Sequence, residues 1–78
     1  MSQRIQKAWL SLRRLAIPAN ASQVQLTEMR RAFYCGAQAM LKEVLDASDL
    51  PEEQAMKVMD QLQSELGQFS KDLTEGRA

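Results

Sequence analysis

Apolar residues recur every three or four positions along most of this chain, which is the spacing of one face of an α-helix. Three segments carry the pattern, and breaks at Pro18 and Pro51 separate them. The segments predict helices over residues 2–16, 22–47 and 51–74. No stretch alternates between apolar and polar residues with a period of two, so we expect an all-α protein without strands.

The second predicted helix begins with Ser22 and Gln25 in the S-x-x-Q spacing of a capping box. Its apolar residues follow steps of three and four: Leu26, Met29, Phe33, Gly36, Met40 and Val44. Beyond Met40 the apolar surface widens to include Leu41 and Leu45. We therefore expect this end of the helix to be covered on two sides.

The third predicted helix has the most regular pattern. Its apolar residues alternate in steps of four and three, as at the a and d positions of a coiled coil. We call these six residues the third-helix seam: Ala55, Met59, Leu62, Leu66, Phe69 and Leu73. Beyond the seam, residues 74–78 are expected to fray.

These elements predict one domain over residues 1–78, with a short N-terminal helix and two long helices in an antiparallel hairpin. A chain of 78 residues is near the lower limit for a self-sufficient core. Two helices alone cannot bury both sides of residues 40–45. We therefore expect a homo-oligomeric helical bundle in which the long helices form the shared core.

The amino-acid composition excludes several kinds of functional site. The chain has one cysteine, Cys35, and no histidine, so it lacks an internal disulfide, a zinc ligand set and a histidine-activated nucleophile. No apolar run approaches the roughly 18 residues of a membrane span, and we do not expect the first residues to act as a signal peptide. We expect a cytoplasmic protein without metal, cofactor or enzymatic activity, and an inert, buried Cys35 thiol.

Charge is segregated along the chain although the net charge is zero. Residues 1–34 contain six basic residues and Glu28 alone, a net charge of +5. Residues 35–78 contain four basic and nine acidic residues, a net charge of −5. Either the two halves neutralise each other, or the basic half binds an anionic ligand or an acidic protein surface.

Four arginines and a tyrosine are the candidate ligand-binding residues. If the first two helices pack antiparallel, Arg13 and Arg14 face the start of the second helix. Arg30 and Arg31 then lie about 8–9 Å further along that helix. Four guanidinium groups can surround one anion in this arrangement, with Tyr34 placed to stack on an attached base. The alternative is that the arginines are solvated or form ion pairs across an interface.

Residues 25–41, QLTEMRRAFYCGAQAML, resemble the L-T-E-x-R-R-A-F-Y-x-G-A stretch of small, mostly uncharacterised proteins encoded by tailed phages and prophages. An upstream W-x-x-x-R and I-P element matches at Trp9, Arg13, Ile17 and Pro18. Small helical oligomers of phages include anti-defence proteins that sequester nucleotide immune signals in basic, aromatic-lined pockets. The resemblance therefore implies, by analogy, an anionic small ligand.

Two functions are expected from these observations. One is an oligomer that binds and sequesters a phosphate-bearing small molecule, such as a nucleotide immune signal, through the arginines and Tyr34. The other is a protein-binding module that inhibits or adapts a host protein through a helical face. DNA binding is disfavoured, because the second helix is apolar over much of its length and the net charge is zero.

Overall fold

A computed structural model describes residues 2–78. The chain forms three helices there: α1 (Arg4–Ala16), α2 (Gln23–Ser48) and α3 (Glu52–Thr74). Residues 2–78 contain no β-strand, so the predicted all-α class is confirmed. Every helix end lies within two residues of the position that the sequence predicts. In the described part of the chain, no helix is both long and apolar enough to cross a lipid bilayer.

Local sequence accounts for the helix boundaries. The Ser22 hydroxyl accepts a hydrogen bond from the backbone N–H of Gln25 at 3.0 Å, so the predicted cap of α2 is confirmed. Pro18 follows the end of α1, and Pro51 directly precedes α3. Proline suits both places, because its ring interrupts a continuing helix but is tolerated at a helix start.

The C-terminal end of α3 is capped, which differs from the fraying that the sequence suggested. The N–H of Gly76 donates to the Leu73 carbonyl at 3.2 Å, and the N–H of Arg77 donates to the Asp72 carbonyl at 2.7 Å. These two bonds form a Schellman motif, which requires the left-handed backbone that Gly76 adopts at φ 77°. The Arg77 guanidinium also binds the Asp72 carboxylate at 2.7 Å.

The chain divides into two compact units, Met1–Leu41 and Lys42–Ala78. In the first unit, α1 packs on the first part of α2 through Trp9, whose ring centroid lies 5.7 Å from that of Phe33. Trp9 is only 4% exposed, and Ile17 is 8% exposed at the turn between the helices. Ile17 therefore belongs to the core, although it lies outside the helices that the sequence predicts.

The second unit has a smaller core at the turn between α2 and α3. Ala47 is 3% exposed, and its carbonyl accepts the N–H of Leu50 at 3.0 Å. One turn earlier, the Lys42 ammonium donates to the Asp46 carboxylate at 2.7 Å. This hydrogen bond raises the pKa of Lys42, because it stabilises the charged ammonium.

The third-helix seam is largely uncovered, and α3 contains no buried residue. Ala55 and Leu62 are half-buried. The other four seam residues are 43% to 60% exposed: Met59, Leu66, Phe69 and Leu73. Leu41 and Leu45 of α2, where cover on two sides was expected, are each 56% exposed. The chain therefore leaves in solvent most of the positions that its sequence pattern assigns to a core.

Cys35 is exposed, so the expectation of a buried thiol is wrong. It follows Phe33 by two residues, which places it roughly 200° around the helix from the ring that packs on Trp9. Open space also adjoins the neighbouring Gly36. Both residues lie on the exposed surface of α2.

Replacing Trp9 by alanine should lower the free energy of unfolding by about 3–5 kcal/mol, because a cavity would open beside Phe33. Thermal unfolding followed by circular dichroism measures the loss. Lys7→Ala, an exposed change on the same helix, is the control and should leave the midpoint within error. Equal midpoints for the two variants would show that Trp9 does not hold α1 on α2.

Candidate functional site

Arg13 and Arg14 lie in the last turn of α1, where positive charge is favourable to the helix dipole. Both line a groove of about 520 Å³ at the turn into α2. The other lining residues are apolar: Leu10, Ile17, Pro18, Ala19 and Leu26. We call this the arginine groove. Within residues 2–78, no carboxylate forms a salt bridge with either arginine.

Arg30 and Tyr34 form a pair one helical turn apart on α2. The guanidinium carbon of Arg30 lies 4.7 Å from the centroid of the Tyr34 ring, which is a cation–π contact. Phe33 meets Tyr34 edge-on at 5.7 Å. Arg30 thus covers one face of the Tyr34 ring, so a base could stack on that face only if the guanidinium moved.

Arg31 has a different environment. Its guanidinium lies 3.5 Å from the Glu28 carboxylate, and a spacing of three residues places such a pair on one side of a helix. Both side chains are about two-thirds exposed or more, at 71% and 67%. Such a pair contributes little to stability and leaves the arginine accessible to solvent.

The five predicted site residues therefore occupy three separate local arrangements. The arginine groove is lined by Arg13 and Arg14 but by neither Arg30 nor Arg31. Tyr34 lines another groove, together with residues 2–6. A single anion site that combines all four arginines remains a prediction.

Sequence reasoning missed three residues that shape these grooves. Leu10 and Leu26 give the arginine groove apolar walls, and Arg4 borders the groove of Tyr34. Both grooves follow from the opposite directions of α1 and α2. The start of α1 lies beside residue 34, and the end of α1 lies beside residue 26. Applying the predicted antiparallel packing to the residues of α1 and to the start of α2 would have found them.

A further surface lies along one side of α3 in the second unit, and its lining residues all belong to that helix. Phe69 is 57% exposed, and carboxylates lie one turn before and after it in Glu65 and Asp72. We call these three residues the Phe69 face. Asp72 already accepts hydrogen bonds from Gln68 and Arg77, whereas Glu65 has no salt bridge within residues 2–78. The sequence signal for this face was the spacing of the carboxylates, which lie four residues before and three residues after Phe69.

No group of three potential metal ligands occurs among the residues that the structure describes. Comparison with protein-family models, curated proteins and solved structures gives no match to the chain. What the geometry defines is a small all-α protein with two exposed surfaces that combine apolar and charged side chains. The arginine groove is the basic surface, and the Phe69 face is the acidic one.

Arg31→Ala should change the free energy of unfolding by less than about 0.5 kcal/mol, because an exposed ion pair is screened by solvent. Arg30→Ala should cost about 0.5–1 kcal/mol through the lost contact with Tyr34. Chemical denaturation of both variants in one buffer ranks them. A larger loss for Arg31→Ala would contradict this assignment of contacts.

Proposed function

We propose that this chain is a helical interaction module that associates with copies of itself and binds a partner protein through a helical face. The observation that carries the proposal is the exposure of the third-helix seam. Four of its large apolar side chains are exposed, at positions that repeat with coiled-coil spacing. A regular apolar stripe of this kind is typical of a helix that packs against another helix.

The free energy of burying these side chains favours association over a monomer. Burying one leucine or phenylalanine side chain contributes about 1.5–3 kcal/mol. Small domains have a total stability of about 5–15 kcal/mol. The burial free energy that a few uncovered side chains do not contribute is therefore comparable to the stability of a whole domain. In the proposed assembly, α2 and α3 form an antiparallel hairpin. The long helices of several copies then share one core that also covers Leu41 and Leu45.

The resemblance to phage and prophage proteins supports a role against a host component. In this role the oligomer acts in the host cytoplasm and inhibits or adapts a host protein by binding it. Exposed arginines then meet acidic side chains of the partner, and the apolar positions supply most of the affinity. The proposal requires no catalytic step and no cofactor.

Leu66→Glu should abolish or strongly weaken self-association, because it places a charge without a partner in the seam that the proposed assembly would bury. Sedimentation equilibrium over a range of concentrations measures the change. Ser64→Glu adds the same charge at a position outside the seam and should leave association largely intact. A wild-type chain that sediments as an 8.8 kDa species at every concentration would refute the proposal.

A second candidate function is sequestration of a phosphate-bearing small molecule, such as a nucleotide immune signal, by the oligomer. The specific observation in its favour is the arginine groove, where Arg13 and Arg14 border apolar walls without a carboxylate partner in the described chain. Guanidinium groups bind phosphate through paired hydrogen bonds, and apolar walls suit a base or ring. Arg30, Arg31 and Tyr34 then belong to a more extended site.

Isothermal titration of a panel of cyclic and linear nucleotides tests the second candidate. Arg13→Ala or Arg14→Ala should weaken binding by about 1.5–3 kcal/mol, which is tenfold or more, because each loses a charged hydrogen bond. Lys7→Ala is the matched control, since it removes a positive charge from α1 outside the groove. Absence of binding to every nucleotide would leave the protein-binding role alone.

A further inference from the structure

The Phe69 face is part of an apolar helix surface with an acidic border. Phe69 is 57% exposed, and its seam neighbours Leu66 and Leu73 are 56% and 60% exposed. Glu65 and Asp72 flank the ring on an open side of α3. The other residues of that side are polar: Asp60, Gln61, Ser64 and Gln68. An occupant that fits this surface must offer apolar groups to the ring and positive charge beside it.

A second copy of α3 does not meet this requirement. Its two lysines, Lys57 and Lys71, lie on the side of the helix opposite the seam, according to the helical register. Arg77, which follows α3, already pairs with Asp72 of its own chain. Two seams packed side by side would therefore bring no lysine of either helix against the carboxylates on their borders.

The arginine groove has the complementary chemistry. It is concave, its walls are apolar, and Arg13 and Arg14 lie on it without a carboxylate partner in the described residues. Leu10, on one wall, is 49% exposed. The unit that contains the groove carries a net charge of +5, and the unit that contains the Phe69 face carries −5.

We propose that the Phe69 face of one copy docks in the arginine groove of a second copy. The Phe69 ring packs between Leu10 and Leu26. Arg13 and Arg14 meet Glu65, which has no salt bridge within residues 2–78, and approach Asp72 beside its Arg77 partner. This inference rests on the self-association proposed above and specifies which surfaces it joins. Because the two surfaces are unlike, the contact either closes reciprocally in a dimer or continues from copy to copy.

Removing the ring is the first test, made on the full chain by sedimentation equilibrium. Phe69→Ala should weaken association tenfold or more, because the ring is the apolar group that packs on Leu10 and Leu26 in the proposed contact. Met56→Ala is the matched control, since Met56 is equally exposed on α3, at 61%, but lies outside the seam. The control should change the association constant by less than threefold.

Exchanging the charges is the second test. The double variants Arg13→Glu/Arg14→Glu and Glu65→Arg/Asp72→Arg should each associate at least tenfold more weakly than the wild type. An equimolar mixture should regain association, because each variant then supplies the charge that the other lacks. Circular dichroism checks that both variants keep their helix content. If either variant loses helix content, the Phe69→Ala measurement decides the proposal.

Each contrary outcome has a separate meaning. A wild-type oligomer that is indifferent to Phe69→Ala and to both charge reversals would overturn this docking but leave self-association standing. A mixture of folded variants that does not associate would also overturn it. If the wild type is a monomer and Phe69→Ala melts at a lower temperature, Phe69 is covered by residues of its own chain. That result would refute the docking and the self-association together.

Discussion

The packing of Trp9 on Phe33 is the contact on which the first unit depends. It is the main buried contact of α1, and it fixes the rotation of both helices about their axes. With that rotation set, Arg13 and Arg14 lie at the groove beside Leu26, and Tyr34 lies beside the start of α1. The positions of the candidate site residues are thus consequences of one aromatic pair.

The helix positions could be predicted from sequence because they depend on local chemistry. Proline at the breaks and serine at the start of α2 act within one turn of where they occur. The cap at Gly76 is equally local, and the glycine shortly after the last seam residue was its signal. Burial is not local. Periodicity identifies which face of α3 is apolar, but it does not identify what covers that face.

The arginine pair illustrates the same limit. Arg30 and Arg31 are adjacent in sequence, yet their positions differ by about 100° around the helix. Once Phe33 faces Trp9, Arg30 reaches Tyr34, whereas Arg31 points away and pairs with Glu28. Sequence reasoning placed all four arginines near one another by distance along the helix axis. It could not set the rotation, because that depends on the partner of Phe33.

Apolar exposure and segregated charge limit the possible partners together. Uncovered leucines and a phenylalanine supply affinity for many apolar surfaces, with little discrimination among them. Charges at the border supply the discrimination, since a partner that brings like charge or no charge leaves Glu65 desolvated and without a counter-charge. In this chain the two requirements coincide on the Phe69 face, where the ring and its flanking carboxylates lie on one side of α3. A partner selected there must be both apolar and basic, and the arginine groove is a surface of that kind within the same sequence.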